Sequence, residues 1–253
     1  MSDAVAQTTT EAMTETMDEN TRRYYLDAMG IQCWESLDAG QIEKQPVIET
    51  PSDVSTAESS DREVSAATYG NLESSIQNCS NCALHEKRTQ AIAGRGNLSA
   101  ELMFVLLSPS ANDDKNGLIC GGEAGELLSK MLAAININID DVYITSLLKC
   151  RVPVNHTISP AEIQTCNAHL KQQIQFIQPK LVIVLGETTA RCLLQKEQTI
   201  DDSRAMNETG SQQLDSVPLF FSYSPEELLR QPANKRKAWA DLQQMQKIIE
   251  NKR

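Results

Sequence analysis

Aromatic side chains make up only 4% of this 253-residue chain. No uninterrupted apolar run reaches the roughly 18 residues that a membrane-spanning helix needs. The start, MSDAVAQTTTEAMTETMDE, has neither the basic nor the apolar segment of an export signal. These absences argue against a membrane protein and predict a cytoplasmic one. A long basic stripe is missing as well: Lys235, Arg236 and Lys237 form the one basic triplet, and it reads as the solvated face of a closing helix. A groove that tracks phosphates by accumulated positive charge is therefore not visible, and DNA contact is expected to be indirect or weak. The net charge of -11 is unevenly spread, since residues 1–70 hold 14 acids against 4 bases and residues 71–253 hold 20 against 19.

The chain does have cysteine, seven in all. Cys79 and Cys82 form a CxxC pair, and Cys150 and Cys166 follow from separate places. In a reducing compartment such thiols stay free or bind metal rather than forming disulfides. Four thiolates from three places suit a tetrahedral zinc or an iron-sulfur cluster, or they are small buried hydrophobes. That leaves Cys33, Cys120 and Cys192 as spare thiols.

Residues 1–20 and 38–70 are rich in Ser, Thr, Glu and Asp, with few large apolar side chains. Segments of that kind do not bury enough surface to offset chain entropy, so a disordered tail and a disordered linker are expected. Between them, residues 21–37 carry Arg22, Arg23, Tyr24, Tyr25, Leu26, Met29, Ile31 and Trp34. Such anchors on a tether predict a partner-docking peptide.

From residue 71 onward, short apolar runs alternate with helical patterns. The runs 101–108, 141–148, 180–186 and 217–224 have strand length, and helices are predicted at 122–135, 160–177, 187–196, 225–231 and 235–250. The alternation predicts an α/β domain over 71–253, a three-layer α/β/α sandwich with a central four-stranded parallel sheet. Ser159-Pro160-Ala161-Glu162 reads as a capping box and places Cys166 about two turns into the crossover helix.

The cysteine order and the stretches CALHEKR, GEAGELLSKML, DVYIT, KCRVPVN, LVIVLG and SPEELLRQP resemble the family 4 uracil-DNA glycosylases. The resemblance runs from about residue 78 to residue 245 and implies a four-iron four-sulfur cluster on Cys79, Cys82, Cys150 and Cys166, with zinc as the alternative. It also shows four departures. The family's Gly-Glu-Ala-Pro-Gly loop reads Leu106-Leu107-Ser108-Pro109-Ser110 here, which puts Leu107 at the acidic position. The stacking Phe falls at Cys120, the base-reading Asn at Ser146, and the His of the His-Pro motif at Ser224. Ser224-Pro225-Glu226-Glu227 reads instead as a second capping box.

With these functions replaced, the expectation is a degenerate, non-catalytic pocket. The peptide around Arg22, Arg23, Leu26, Met29, Ile31 and Trp34, with the Ser224–Trp239 region, resembles the psi subunit of bacterial DNA polymerase III. That resemblance implies docking of residues 21–37 on the clamp-loader collar and binding of the chi subunit, and through it single-stranded DNA-binding protein, by the globular domain. The competing reading is a divergent family 4-like glycosylase with a rebuilt site, using Asp113 or Asp114. A third is a redox role for the cluster. Asn155 and His156 fall near a polar pair of the family and read as surface or capping residues.

Overall fold

The computed structural model describes residues 69–250. The expected tail, the docking peptide 21–37 with Arg22, Arg23, Tyr25, Leu26, Met29, Ile31 and Trp34, and the linker up to residue 68 lie outside the described residues. Residues 69–77 are helical, so a domain boundary at residue 71 would cut a helix. Tyr69 is 7% exposed, packs on Tyr143 and Phe176, and its hydroxyl accepts an N–H from Gln173 at 3.2 Å. Its place in the core comes from partners far along the chain, which the polar sequence before it did not signal.

Six strands form the sheet: β1 (Arg95–Gly96), β2 (Leu102–Leu106), β3 (Tyr143–Ser146), β4 (Leu181–Leu185), β5 (Gln213–Leu214) and β6 (Val217–Ser222), in the order β1-β3-β2-β4-β6-β5. The inner four are parallel, as the alternation predicts. Two short antiparallel edges are added, β1 on β3 and β5 on β6. Both are two residues long, too short for any period to register. The β5–β6 turn uses Asp215 and Ser216 with φ of 48° and 68°, the left-handed pair that a two-residue hairpin requires, without the glycine that would have marked it.

β2 (LMFVL) and β4 (LVIVL) are buried at every position because both sheet faces are covered. Alternate residues divide between two cores. Leu102, Phe104, Leu106, Leu181, Ile183 and Leu185 face α2 (Gly122–Ala133) and α7 (Lys235–Glu250), meeting Leu128, Leu132, Leu242 and Met245. Met103, Val105, Val182 and Val184 face α3 (Pro160–Ile177), meeting Leu170, Ile174 and Ile177. Each such fully buried aliphatic side chain contributes ~1.5–3 kcal/mol of transfer free energy. Further helices are α1 (Ala111–Asn116), α4 (Glu187–Leu194), α5 (Ile200–Ala205) and α6 (Pro225–Arg230). The patterns missed α1 and α5, six-residue helices whose capping boxes close with Asp113 and Asp202 rather than Glu. Among the described residues no helix is long and apolar enough to cross a membrane.

Candidate active site

Parallel pairing brings the carboxyl ends of β2, β3, β4 and β6 to one edge. β2 is followed in sequence by a strand on one side of it and then, after a crossover, by β4 on the other. Ligand crevices of open α/β sheets form where the strand order reverses in this way. A cleft of about 340 Å³ lies there, lined by the residues after β2 (Leu106 to Ala111), the start of α4, the Arg151–Val154 loop and α6.

Gly186 shapes its floor. Its φ is 94°, and a Cβ there would come within 3.1 Å of Glu227 Oε1 and 3.2 Å of the Ser224 Cβ, so glycine lets α4 start against α6. Glu227 is fully engaged in this junction. Its Oε1 accepts the Glu187 N–H at 2.9 Å and its Oε2 the Ser224 N–H at 3.0 Å. The Ser224 hydroxyl in turn accepts the Glu227 N–H at 3.2 Å. The capping box read from the sequence is therefore formed.

Glu226 is placed differently. It lines the same cleft, is half-buried, and has no Lys, Arg or His partner among the described ion pairs. Burial pushes its carboxyl above the usual range; a hydrogen bond from its own backbone N–H opposes this, the charge of Asp113 adds to it, and a hydrogen bond with Ser224 opposes it. Arg151 and Arg230 bring positive charge to the lining. Ser224 and Glu227 complete the helix cap between them, so the one mark Glu226 leaves in the sequence is a doubled glutamate, one more than a capping box needs.

The other flagged residues scatter. Leu107 lines the cleft. Ser146 is fully buried, its hydroxyl donating to the Leu148 carbonyl at 2.9 Å and its carbonyl accepting from Lys149 Nζ at 2.6 Å. Cys120, with φ 53°, is buried in an apolar core, and burial pushes its thiol up to about 12. Asp113 and Asp114 do not present carboxylates to the cleft. Asp113 accepts the N–H groups of Ser110 (2.9 Å) and Gly121 (2.8 Å), and Asp114 accepts that of Thr89 with both oxygens, at 2.9 and 3.0 Å. They hold loops. His156 meets Glu162 at 3.0 Å beside a different cleft, and Asn155 sits in a turn with φ 63°.

Cys82, Cys150 and Cys166 belong to one apolar cluster, and Cys79 lies close enough that its charge would act on Cys150. Burial raises the Cys150 thiol, with Cys82 and Cys79 adding to it and Arg88 opposing. Burial likewise pushes Cys166 to about 11. N–H donors point at the sulfurs: Arg88 Nη1 reaches Cys150 Sγ at 2.9 Å while Nη2 ties the Cys79 carbonyl at 2.7 Å, and the Lys149 N–H reaches Cys166 Sγ at 3.2 Å. Among the described residues no three His, Cys, Asp or Glu side chains are grouped tightly enough for a single metal ion.

A doubly covered sheet with a cleft at the strand-order reversal defines a doubly wound α/β protein. The uracil DNA glycosylase superfamily model matches residues 93–243, more than half of the chain, and the chain belongs to that superfamily. It is 33% identical over 162 residues to a type-4 uracil-DNA glycosylase of Pyrobaculum aerophilum, covering 62% of this chain and 83% of that protein. Type-4 enzymes of Archaeoglobus fulgidus and Thermotoga maritima are 40% and 39% identical over 46% and 45% of this chain. The matches span 58% and 59% of those two proteins, somewhat over half their length.

These relatives overturn two expectations, that of a psi-type clamp-loader subunit and that of a non-catalytic domain. The psi resemblance rests on a short peptide outside the described residues and on the Ser224–Trp239 region, whose start, Ser224 to Glu227, is a helix cap. Leu107, Cys120, Ser146 and Ser224 do lack the family's groups, but a carboxyl from α6, Glu226, lines the same cleft.

Proposed function

We propose that this chain is a DNA glycosylase of the type-4 kind, hydrolysing the bond between deoxyribose and uracil or another damaged base. The observation that carries the reading is a cleft at the strand-order reversal of a superfamily member, lined by a half-buried carboxyl and two arginines. Arg151 and Arg230 offer charge to backbone phosphates, and Leu107, Val152 and Leu185 give the apolar wall on which a flipped base rests. The lining has no aromatic, amide or imidazole side chain, so the base is met by aliphatic, hydroxyl and charged groups.

Cys79, Cys82, Cys150 and Cys166 are proposed to hold a four-iron four-sulfur cluster. An all-thiol donor set with N–H donors directed at two of the sulfurs fits such a cluster. Bound there, the group supplies a cross-link between the segment before the sheet, the end of β3 and α3.

The test is cleavage of single- and double-stranded oligonucleotides carrying one uracil, with abasic sites revealed by alkali. Strand scission above a uracil-free control is expected. None at all, from folded iron-loaded protein, would sink the reading.

A further inference from the structure

A glycosidic bond breaks with its electron pair on the base, so the leaving base must be stabilised as an anion or protonated as it departs. The cleft has no histidine and no amide to solvate an anion; its polar lining is hydroxyls, Arg151, Arg230, Glu226 and Glu227. Both oxygens of Glu227 are committed to backbone N–H groups. Glu226 is the other lining carboxyl; it meets its own backbone N–H and Ser224 but bridges no second helix and has no partner among the described ion pairs.

The groups facing Glu226 favour its protonated form. Asp113 on α1 and Glu227 on its own helix are acidic, and the Cys120 thiol, held at about 12, contributes no positive charge. Arg151 and Arg230 share the cleft lining and act the other way. Burial is the largest influence and raises the carboxyl, against hydrogen bonds from its own backbone N–H and with Ser224 that lower it. A carboxyl whose hold on its proton is strengthened in this way is suited to act as an acid.

We propose that Glu226 is the general acid of this site, delivering its proton to a carbonyl oxygen of the departing base. This deepens the glycosylase reading and rests on it. The bond from C1′ to the base nitrogen breaks with its electrons going to the base, which takes the Glu226 proton and leaves neutral. Water adds its oxygen to C1′, and its released proton restores Glu226. No other reagent is needed.

The experiment compares wild type, Glu226→Gln and Glu226→Asp on oligonucleotides carrying uracil or 5-fluorouracil, as kcat/KM against pH. For wild type, kcat/KM should fall as pH rises through the raised value, because the protonated form is the active one. Glu226→Gln should lose about 100-fold or more on uracil, the range of a general acid, together with that pH limb. Glu226→Asp should retain part of both. The loss on 5-fluorouracil should be clearly smaller, since a more acidic base leaves with less help. Equal losses on both bases, or uracil excision unchanged in Glu226→Gln, would overturn the assignment while leaving the glycosylase reading intact. Absence of wild-type excision would overturn both. Matching thermal melts show that the variants fold.

Discussion

Glu227 Oε1 accepts the backbone N–H of Glu187 at 2.9 Å, and Gly186, immediately before, has no side chain to stand between them. One carboxylate thus ties the first turn of α4 to the first turn of α6 and sets two walls of the cleft. Gly186→Ala should cost ~1–3 kcal/mol, because alanine meets both a left-handed φ and a 3.1 Å approach to that oxygen. Urea denaturation measures the loss, and excision should fall with it as the walls move apart. A variant as stable as wild type would show that the junction tolerates a methyl group.

Asp241 on α7 offers a second prediction. It is 3% exposed and accepts N–H groups from Arg204 Nε (2.9 and 2.8 Å) and Nη2 (2.7 Å), with the Ser222 hydroxyl at 2.7 Å. The Arg204 side chain keeps 18% of its exposure, so removing its partner does not strand a fully buried cation. Asp241→Ala should therefore cost about 3 kcal/mol, the low end for breaking a buried pair. Asp241→Asn should cost less, since an amide oxygen still accepts. Denaturant midpoints of the two variants decide the order.

Iron binding makes a third. Cys166→Ala and Cys150→Ser should abolish iron and visible absorbance, while Cys192→Ala, at a half-buried thiol beside a separate cleft, should leave both unchanged. Arg88→Met removes the N–H donor to Cys150 Sγ and should speed iron loss to a chelator without preventing assembly. Iron analysis per chain checks each. Full iron in Cys166→Ala would reject the ligand set, and zinc in place of iron in wild type would reject the cluster.

The framework was readable because its signals are local. A continuous apolar run such as Leu181–Leu185 needs cover on both faces wherever it lies, and Ser159 with Glu162 caps a helix through neighbours three residues apart. Elements too short to express a period, such as β1 and β5, left no such mark. Ser224 is legible as a cap for the same local reason. The acidic pair misled, because Asp113 and Asp114 look like a catalytic pair until Thr89, Ser110 and Gly121 are seen donating to them.

Residue order alone thus set the strands, the main helices and the thiols available to a metal, since each follows from chain periodicity or from side-chain chemistry. Folding decided which carboxyl serves which purpose. Glu226 and Glu227 are adjacent and chemically identical, yet one is consumed by N–H groups at two helix starts while the other lines a cleft beside Asp113. The difference lies in surroundings assembled from separate stretches of the chain, Glu187 on one side and Asp113 on the other, and electrostatic environment, unlike periodicity, is a property of space.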